Sequence, residues 1–391
     1  MSEPARKPKS GGAPERTHAS GRLLERCFVV SADCHVNEPA DLWATRIAPE
    51  FRERIPRVRV DADGTRWSVA EGLRPVRIKD FPREFTQGQA FSLEAGDLDL
   101  SQRGSADPAI RNAHHDLDGV DAEIVYPNKG LLMWTSPDHR LAAALCRVWN
   151  DWAVETFGAH SQRILPVAAV APGDVPAAVR EVQRVARLGL RSVFLPVQVA
   201  GQPYSLPLYD PLWAALQDAG LPVAFHVGTG RDPRSATGHG GAVINYVVHA
   251  LATAMEPLTQ LCASGVCERF PGLRFALVEC GIGWLAWALW AMDESFVKHD
   301  FWVSPKLPLK PSEYFRRQGW CTFCDDPMGI ATREWIGTDR LLFGNDYPHH
   351  EGSWPHSEEV VRRTMGDLTD TERRLILGEN AARLYGIPLP G

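Results

Sequence analysis

A short apolar run that stops at an acid or an imidazole occurs four times in this chain. This feature restricts the fold more than any other. The runs are Phe28-Val29-Val30-Ser31-Ala32-Asp33-Cys34-His35, Pro222-Val223-Ala224-Phe225-His226-Val227-Gly228, Leu273-Arg274-Phe275-Ala276-Leu277-Val278-Glu279-Cys280 and Leu341-Leu342-Phe343-Gly344-Asn345-Asp346-Tyr347-Pro348-His349-His350. Continuous apolar segments of this length read as strands covered on both faces, as in a parallel sheet. The C-terminal ends of such strands are where an α/β barrel places its reactive groups. Asp33, His35, His226 and Asp346 are therefore expected to converge on one divalent metal. Asp33 and His35 are two residues apart, so on a strand both side chains point to the same side. Carboxylate and neutral imidazole suit zinc first, with manganese, magnesium or iron as alternatives.

The rest of the chain keeps a βα rhythm around these runs. Strands are expected at Cys27–Ala32, Ala122–Tyr126, Ile164–Val170, Ser192–Pro196, the His226 run, Leu273–Glu279, Trp320–Phe323 and Leu341–Asn345. Helical patterns stand between them, among them Arg111–Gly119, Pro137–Ala159, Val175–Leu188, Tyr209–Ala219, Val243–Ser264, Trp284–His299 and Pro311–Gln318. Ser357–Met365 and Thr371–Tyr385 close the chain as helices. No G-x-G-x-x-G follows the first strand, so the rhythm implies an α/β fold of the (β/α)8 (TIM barrel) type over residues 26–391 rather than a dinucleotide fold. Residues 1–25, rich in Pro, Gly, Ser, Arg and Lys, read as a disordered tail and not a secretion signal. Residues about 56–110 break the rhythm. Asp61-Ala62-Asp63-Gly64 there forms a hairpin signature between Val58-Arg59-Val60 and Arg66-Trp67-Ser68-Val69. An insertion after the first strand would hang over the barrel mouth as a lid or an oligomer arm.

Charge and cysteine usage narrow the partners. A net charge of -6 argues against nucleic acid as the main partner. No apolar run reaches the roughly 18 residues of a membrane span. Eight scattered cysteines suit reduced thiols in a cytoplasmic protein. Cys321-Thr322-Phe323-Cys324 is a lone C-x-x-C whose thiols fall on opposite faces of a strand, which argues against a zinc knuckle.

Around the ligand set, Asp346 is the expected proton acceptor beside a metal-activated water. Glu279 faces the same mouth and is open to three roles: a second acid/base, a substrate-orienting group, or an acceptor for His226. His349 is a candidate hydrogen-bond partner of substrate. Arg46 is a candidate for a substrate carboxylate, against the commoner fate of a surface ion pair. Asn128, at the end of the second strand, and Trp284, at the start of a helix, complete the candidate substrate contacts. Trp284, Trp287 and Trp290 read as one helix face packed on the barrel.

These residues resemble the amidohydrolase-related family, in its aminocarboxymuconate-semialdehyde decarboxylase-like branch. The similarity lies in Asp33-Cys34-His35-Val36-Asn37-Glu38-Pro39, Asp118-Gly119-Val120-Asp121-Ala122-Glu123, Ser264-Gly265-Val266-Cys267-Glu268-Arg269-Phe270-Pro271, Gly344-Asn345-Asp346-Tyr347-Pro348-His349 and Gly378-Glu379-Asn380-Ala381-Ala382-Arg383-Leu384-Tyr385-Gly386. The resemblance implies a (β/α)8 barrel with one divalent metal on Asp33, His35, His226 and Asp346. It also implies a small-molecule substrate and a homo-oligomer, a dimer first. One departure matters. The family's decarboxylases carry a histidine where this chain has Glu279. An anion beside a substrate carboxylate would repel it. The leading expectation is therefore a hydrolase of a small cyclic or aromatic substrate, with non-oxidative decarboxylation of an aromatic or enoic acid as the alternative.

Overall fold

The computed structural model describes residues 23–78, 84–85, 93–94, 106–199, 201–229, 238–349 and 351–390. Most of the expected N-terminal tail, much of the 56–110 insertion, His350 and residues 230–237 lie outside these residues.

Among the described residues, eight parallel strands follow one another around a barrel. They are β1 (Val30–Val36), β2 (Ala122–Pro127), β3 (Ile164–Pro166 with Ala168–Ala169), β4 (Val193–Pro196), β5 (Val223–His226), β6 (Phe275–Val278), β7 (Gly319–Phe323) and β8 (Leu341–Phe343). β1 pairs with β2 and β2 with β3, while β3 through β8 form the second arc. The ring closes just beyond β8, where the His35 N–H donates to the Tyr347 carbonyl at 2.6 Å and the Asp346 N–H donates to the Asp33 carbonyl at 2.9 Å. Gly344 makes that seam possible: a Cβ there would lie 2.6 Å from the Asp33 Cβ.

Side-chain alternation builds two layers. On β5, Val223 and Phe225 join an outer layer with Leu212 and Trp213 of the helix Asp210–Asp218. Ala224 belongs instead to the inner cluster with Ala276, Phe194 and Leu342. Small residues leave room inside a ring of eight strands. His226 keeps the parity of Ala224 and so enters the barrel.

Three local expectations change. The run Val243–Ser264 is broken into Gly241–Val247, a 3-10 turn at Leu251–Ala254 and Met255–Ala263. β1 runs on to Val36, so Asp33 and His35 lie within the strand. In the helix Leu285–Lys298 the buried stripe is Leu285, Ala288 and Leu289. That stripe is one residue out of phase with the tryptophans, so Trp287 and Trp290 are exposed. The D-G hairpin forms as Arg57–Val60 against Arg66–Val69, with Val76–Ile78 as a third strand. Its base is tied to the loop after β2, on the mouth side. There Glu71 accepts from Ser136 Oγ at 2.6 Å and pairs with Arg54, which also reaches Asp138. No helix among the described residues is long and apolar enough to cross a membrane.

Candidate metal centre

Both imidazoles at the mouth are fixed in one tautomer. His226 Nδ1 lies 2.7 Å from the Val227 carbonyl, and His35 Nδ1 lies 3.1 Å from the Pro127 carbonyl. A carbonyl only accepts, so each Nδ1 carries the proton and each Nε2 keeps its lone pair. The two Nε2 atoms face one another at 3.1 Å. Asp33 Oδ1 lies 3.3 Å from His226 Nε2 and 3.6 Å from His35 Nε2. Glu279 Oε2 lies 3.3 Å and 3.6 Å from the same two nitrogens. Asp346 Oδ1 lies 3.6 Å from His35 Nε2.

Every one of these atoms is an electron-pair donor, and that composition fits a divalent cation. Donor atoms about 2.1 Å from a shared ion stand roughly 3.0–3.4 Å apart, close to the spacings found. Asp33 Oδ1 and Asp346 Oδ1 accept no hydrogen bond among the described residues. An unsatisfied buried carboxylate oxygen is costly. The titration directions carry the same strain. Burial, then Asp33 and Glu351, push Asp346 well above the usual carboxylate range. Burial, then Asp346, push Glu279 up as well. Burial, then His349 and His226, push His35 down. Burial also pulls His226 down, but Asp33 and Glu279 outweigh it and leave it raised. A divalent cation at the common point would offset two of the three carboxylate charges and supply the partner both lone pairs lack.

The backbone is bent to deliver two of these groups. Glu279 (φ 59°) and Asp346 (φ 54°) sit in the left-handed region, which non-glycine residues enter at a cost and mostly where function requires it. The Glu279 N–H is held by Thr322 Oγ1 at 2.8 Å. Beside Asp346, Asn345 Oδ1 accepts from Ser31 Oγ at 2.9 Å, and Asn345 Nδ2 donates to Asp118 Oδ2 at 3.0 Å. His349 stacks on the His35 ring at 4.1 Å between centroids, with its Nδ1 3.0 Å from Asp346 Oδ1.

The other candidates fall elsewhere. Asn128 Nδ2 donates to Asn37 Oδ1 at 2.5 Å and staples two loops together. The Trp284 indole N–H donates to the Cys280 and Gly281 carbonyls, so it holds the turn after Glu279. Arg46 is exposed and pairs with Glu155 at 2.6 Å. That is the surface ion pair, not a substrate anchor, because its helix runs along the outside of the barrel against Leu145 of the helix His139–Phe157.

Sequence reading missed the support behind β1. Arg111 grips Glu123 with two hydrogen bonds, of 2.8 and 2.5 Å, and donates from Nη1 to the His35 carbonyl at 2.9 Å. The one available signal was a charge inside the apolar strand Ala122–Pro127. Tyr246 was missed as well. It is half-exposed, and partial burial, then Glu351, Glu279 and Asp346, push its phenol up.

The family described as Amidohydrolase matches residues 32–387. A γ-resorcylate decarboxylase from Rhizobium sp. (strain MTP-10005) is 29% identical over 287 residues, 69% of this chain and 84% of the relative. Among solved structures, an amidohydrolase from Mycobacterium avium subsp. paratuberculosis K-10 superposes with a TM-score of 0.74 at 21% identity, over 92% of this chain and 99% of that one. A dihydroxybenzoic acid decarboxylase from Polaromonas sp. JS666, with bound manganese and 2-nitroresorcinol, superposes with a TM-score of 0.62 at 18% identity, over 93% and 98%. The γ-resorcylate decarboxylase relative overturns hydrolysis as the leading expectation, since that enzyme is a carboxy-lyase. The structure also bears on the physical objection drawn from Glu279. Its carboxylate points into the donor ring, 3.3 and 3.6 Å from the two Nε2 atoms, where a bound cation would offset its charge.

Proposed function

The chain belongs to the amidohydrolase family, and from that premise we propose that it is a divalent-metal-dependent decarboxylase of hydroxylated aromatic acids. The observation that carries this reading is the donor ring at the barrel mouth, in a chain whose relatives are decarboxylases. The reaction is non-oxidative. The bond from ring carbon to carboxylate breaks, its electron pair stays on the ring, CO2 leaves, and a proton takes the vacated position.

Asp33, His35, His226 and Asp346 would hold the metal. When bound, the cation supplies positive charge against the carboxylate and hydroxyl oxygens of the substrate. The remaining work falls to the protein. The Arg111 contact with the His35 carbonyl and the Asn345 network fix the ligands before substrate arrives, which is the use of a preorganised site. His349, one-fifth exposed and 3.0 Å from Asp346 Oδ1, links the opening to the buried carboxylate. With substrate bound, this 3.0 Å contact closes into a hydrogen bond through which one proton moves from His349 Nδ1 to Asp346 and from there to the ring carbon.

The test is to load the folded protein with manganese and incubate it with carboxyl-labelled dihydroxybenzoates in deuterium oxide. Labelled CO2, with one deuterium entering the ring per turnover, is the expected result. No CO2 from fully metallated protein across the hydroxybenzoate series would overturn the reading.

A further inference from the structure

Glu279 stands in the same relation to the two imidazoles as Asp33 does. Each offers one carboxylate oxygen at 3.3 Å from His226 Nε2 and 3.6 Å from His35 Nε2. The role of acceptor behind His226 is closed to Glu279, because His226 Nδ1 is bound to the Val227 carbonyl and Glu279 faces the other nitrogen. Its left-handed backbone, fixed through Thr322, aims the side chain at the centre of the ring, and only 16% of that side chain is exposed.

From this equivalence we propose that Glu279 is itself a metal ligand, the fifth donor of a set with two nitrogens and three carboxylates. The proposal deepens the decarboxylase reading of the same site and rests on it for the substrate alone. The chemistry of the metal changes with the donor count. Four-coordinate zinc has no place for five protein donors, whereas six-coordinate manganese or magnesium accepts oxygen-rich sets and keeps a position open. The set carries three negative charges, which a dication leaves at one. Such a donor set would favour manganese over zinc.

The experiment measures metal binding with no substrate present. Wild-type protein, Glu279→Gln and Glu279→Ala are stripped with chelator, checked for fold by circular dichroism, and titrated separately with manganese and zinc. Free manganese is followed by its electron paramagnetic resonance signal. The expected result is one manganese per wild-type chain and an affinity lower by about tenfold or more in both variants, with a smaller loss for zinc. Glu279→Gln keeps the shape of the side chain, so it decides the matter if Glu279→Ala does not fold. Unchanged manganese affinity and an unchanged spectrum of the bound ion in folded Glu279→Gln would overturn the proposal. So would a wild type that binds no manganese. If the affinities fall as expected while no arenecarboxylate is decarboxylated, the fifth ligand stands and the reaction assignment falls.

Discussion

Two buried clusters of acids and imidazoles flank β1. Behind the strand, Cys34, His115 and Glu123 have the composition of a metal site, and their atoms lie close enough for one. Arg111 already fills the gap. Its guanidinium holds Glu123 in a bidentate pair and lies over the Tyr347 ring at 4.9 Å, while His115 Nε2 stands 2.9 Å from Glu123. Burial, then Glu123, push the Cys34 thiol well up, and it donates to Ser31 and Asn345. At the mouth, Asp33, Glu279 and Asp346 gather around His35 Nε2, and no arginine or lysine among the described residues pairs with them. The comparison teaches that ligand-type residues within reach of one another are not enough. What marks a functional cluster is the charge it leaves unbalanced.

The first way to break the comparison is to remove a donor from the unbalanced cluster. His226→Ala should lower metal content below half an equivalent and cost about 10³-fold or more in decarboxylation, since the whole activation by the cation goes with it. Elemental analysis beside CO2 release checks this. A variant that keeps both would equate the two clusters. Chelating the wild type should also lower its melting temperature, because an ion that binds only the native state stabilises it by mass action.

The balanced cluster should respond in stability. Glu123→Gln leaves Arg111 buried without its counter-charge, and breaking such a pair costs about 3–5 kcal/mol. Urea unfolding reads this directly, and the metal content of the surviving folded fraction should stay near wild type. Its pH dependence has a definite sign. Burial raises the Glu123 pKa, but Arg111 and His115 outweigh it and hold the carboxyl below its usual value. A depressed carboxylate contributes stability above its unfolded pKa and loses it as pH falls toward the folded value. Wild-type stability should therefore drop on acidification below about pH 4.5, and the part of that drop due to Glu123 should vanish in Glu123→Gln.

A smaller effect separates holding the metal from moving the proton. His349→Ala should retain a full equivalent of metal while activity falls about 10²-fold, the size of a lost general acid or base. A loss of metal instead would move His349 from the proton path into the donor set.

The contrast also explains what could be read from the sequence. The barrel was legible because each strand announces itself by an apolar run, and period-two parity then sends His226 inward with Ala224. Asp33 and His35 on β1 and His226 on β5 could be brought together for the same reason, and Asp346, past the end of β8, through its place after the last apolar run. The role of Glu279 was not legible. Its side chain is aimed by a left-handed backbone just past β6, and strand parity says nothing about a residue outside the strand. Arg111 was hidden because its helix, Pro108–Asp118, buries arginine, histidine and aspartate, so no apolar stripe singled it out. The tryptophans misled by one residue of helical phase.

The smallest effect tests a substrate-contact candidate that the sequence left open against a surface ion pair. The Arg46 side chain is 39% exposed and that of its partner Glu155 58%, as the surface ion pair requires. Solvent screens such a pair, and its removal costs about 0–1 kcal/mol. Arg46→Ala should therefore leave KM, kcat and metal content at wild-type values and shift the melting temperature by no more than about 2–3 °C. A large rise in KM with kcat unchanged would be the signature of a lost contact made equally in ground and transition states. That result would bring the helix Leu42–Arg46 over the mouth during turnover and extend the unbalanced cluster beyond the barrel wall.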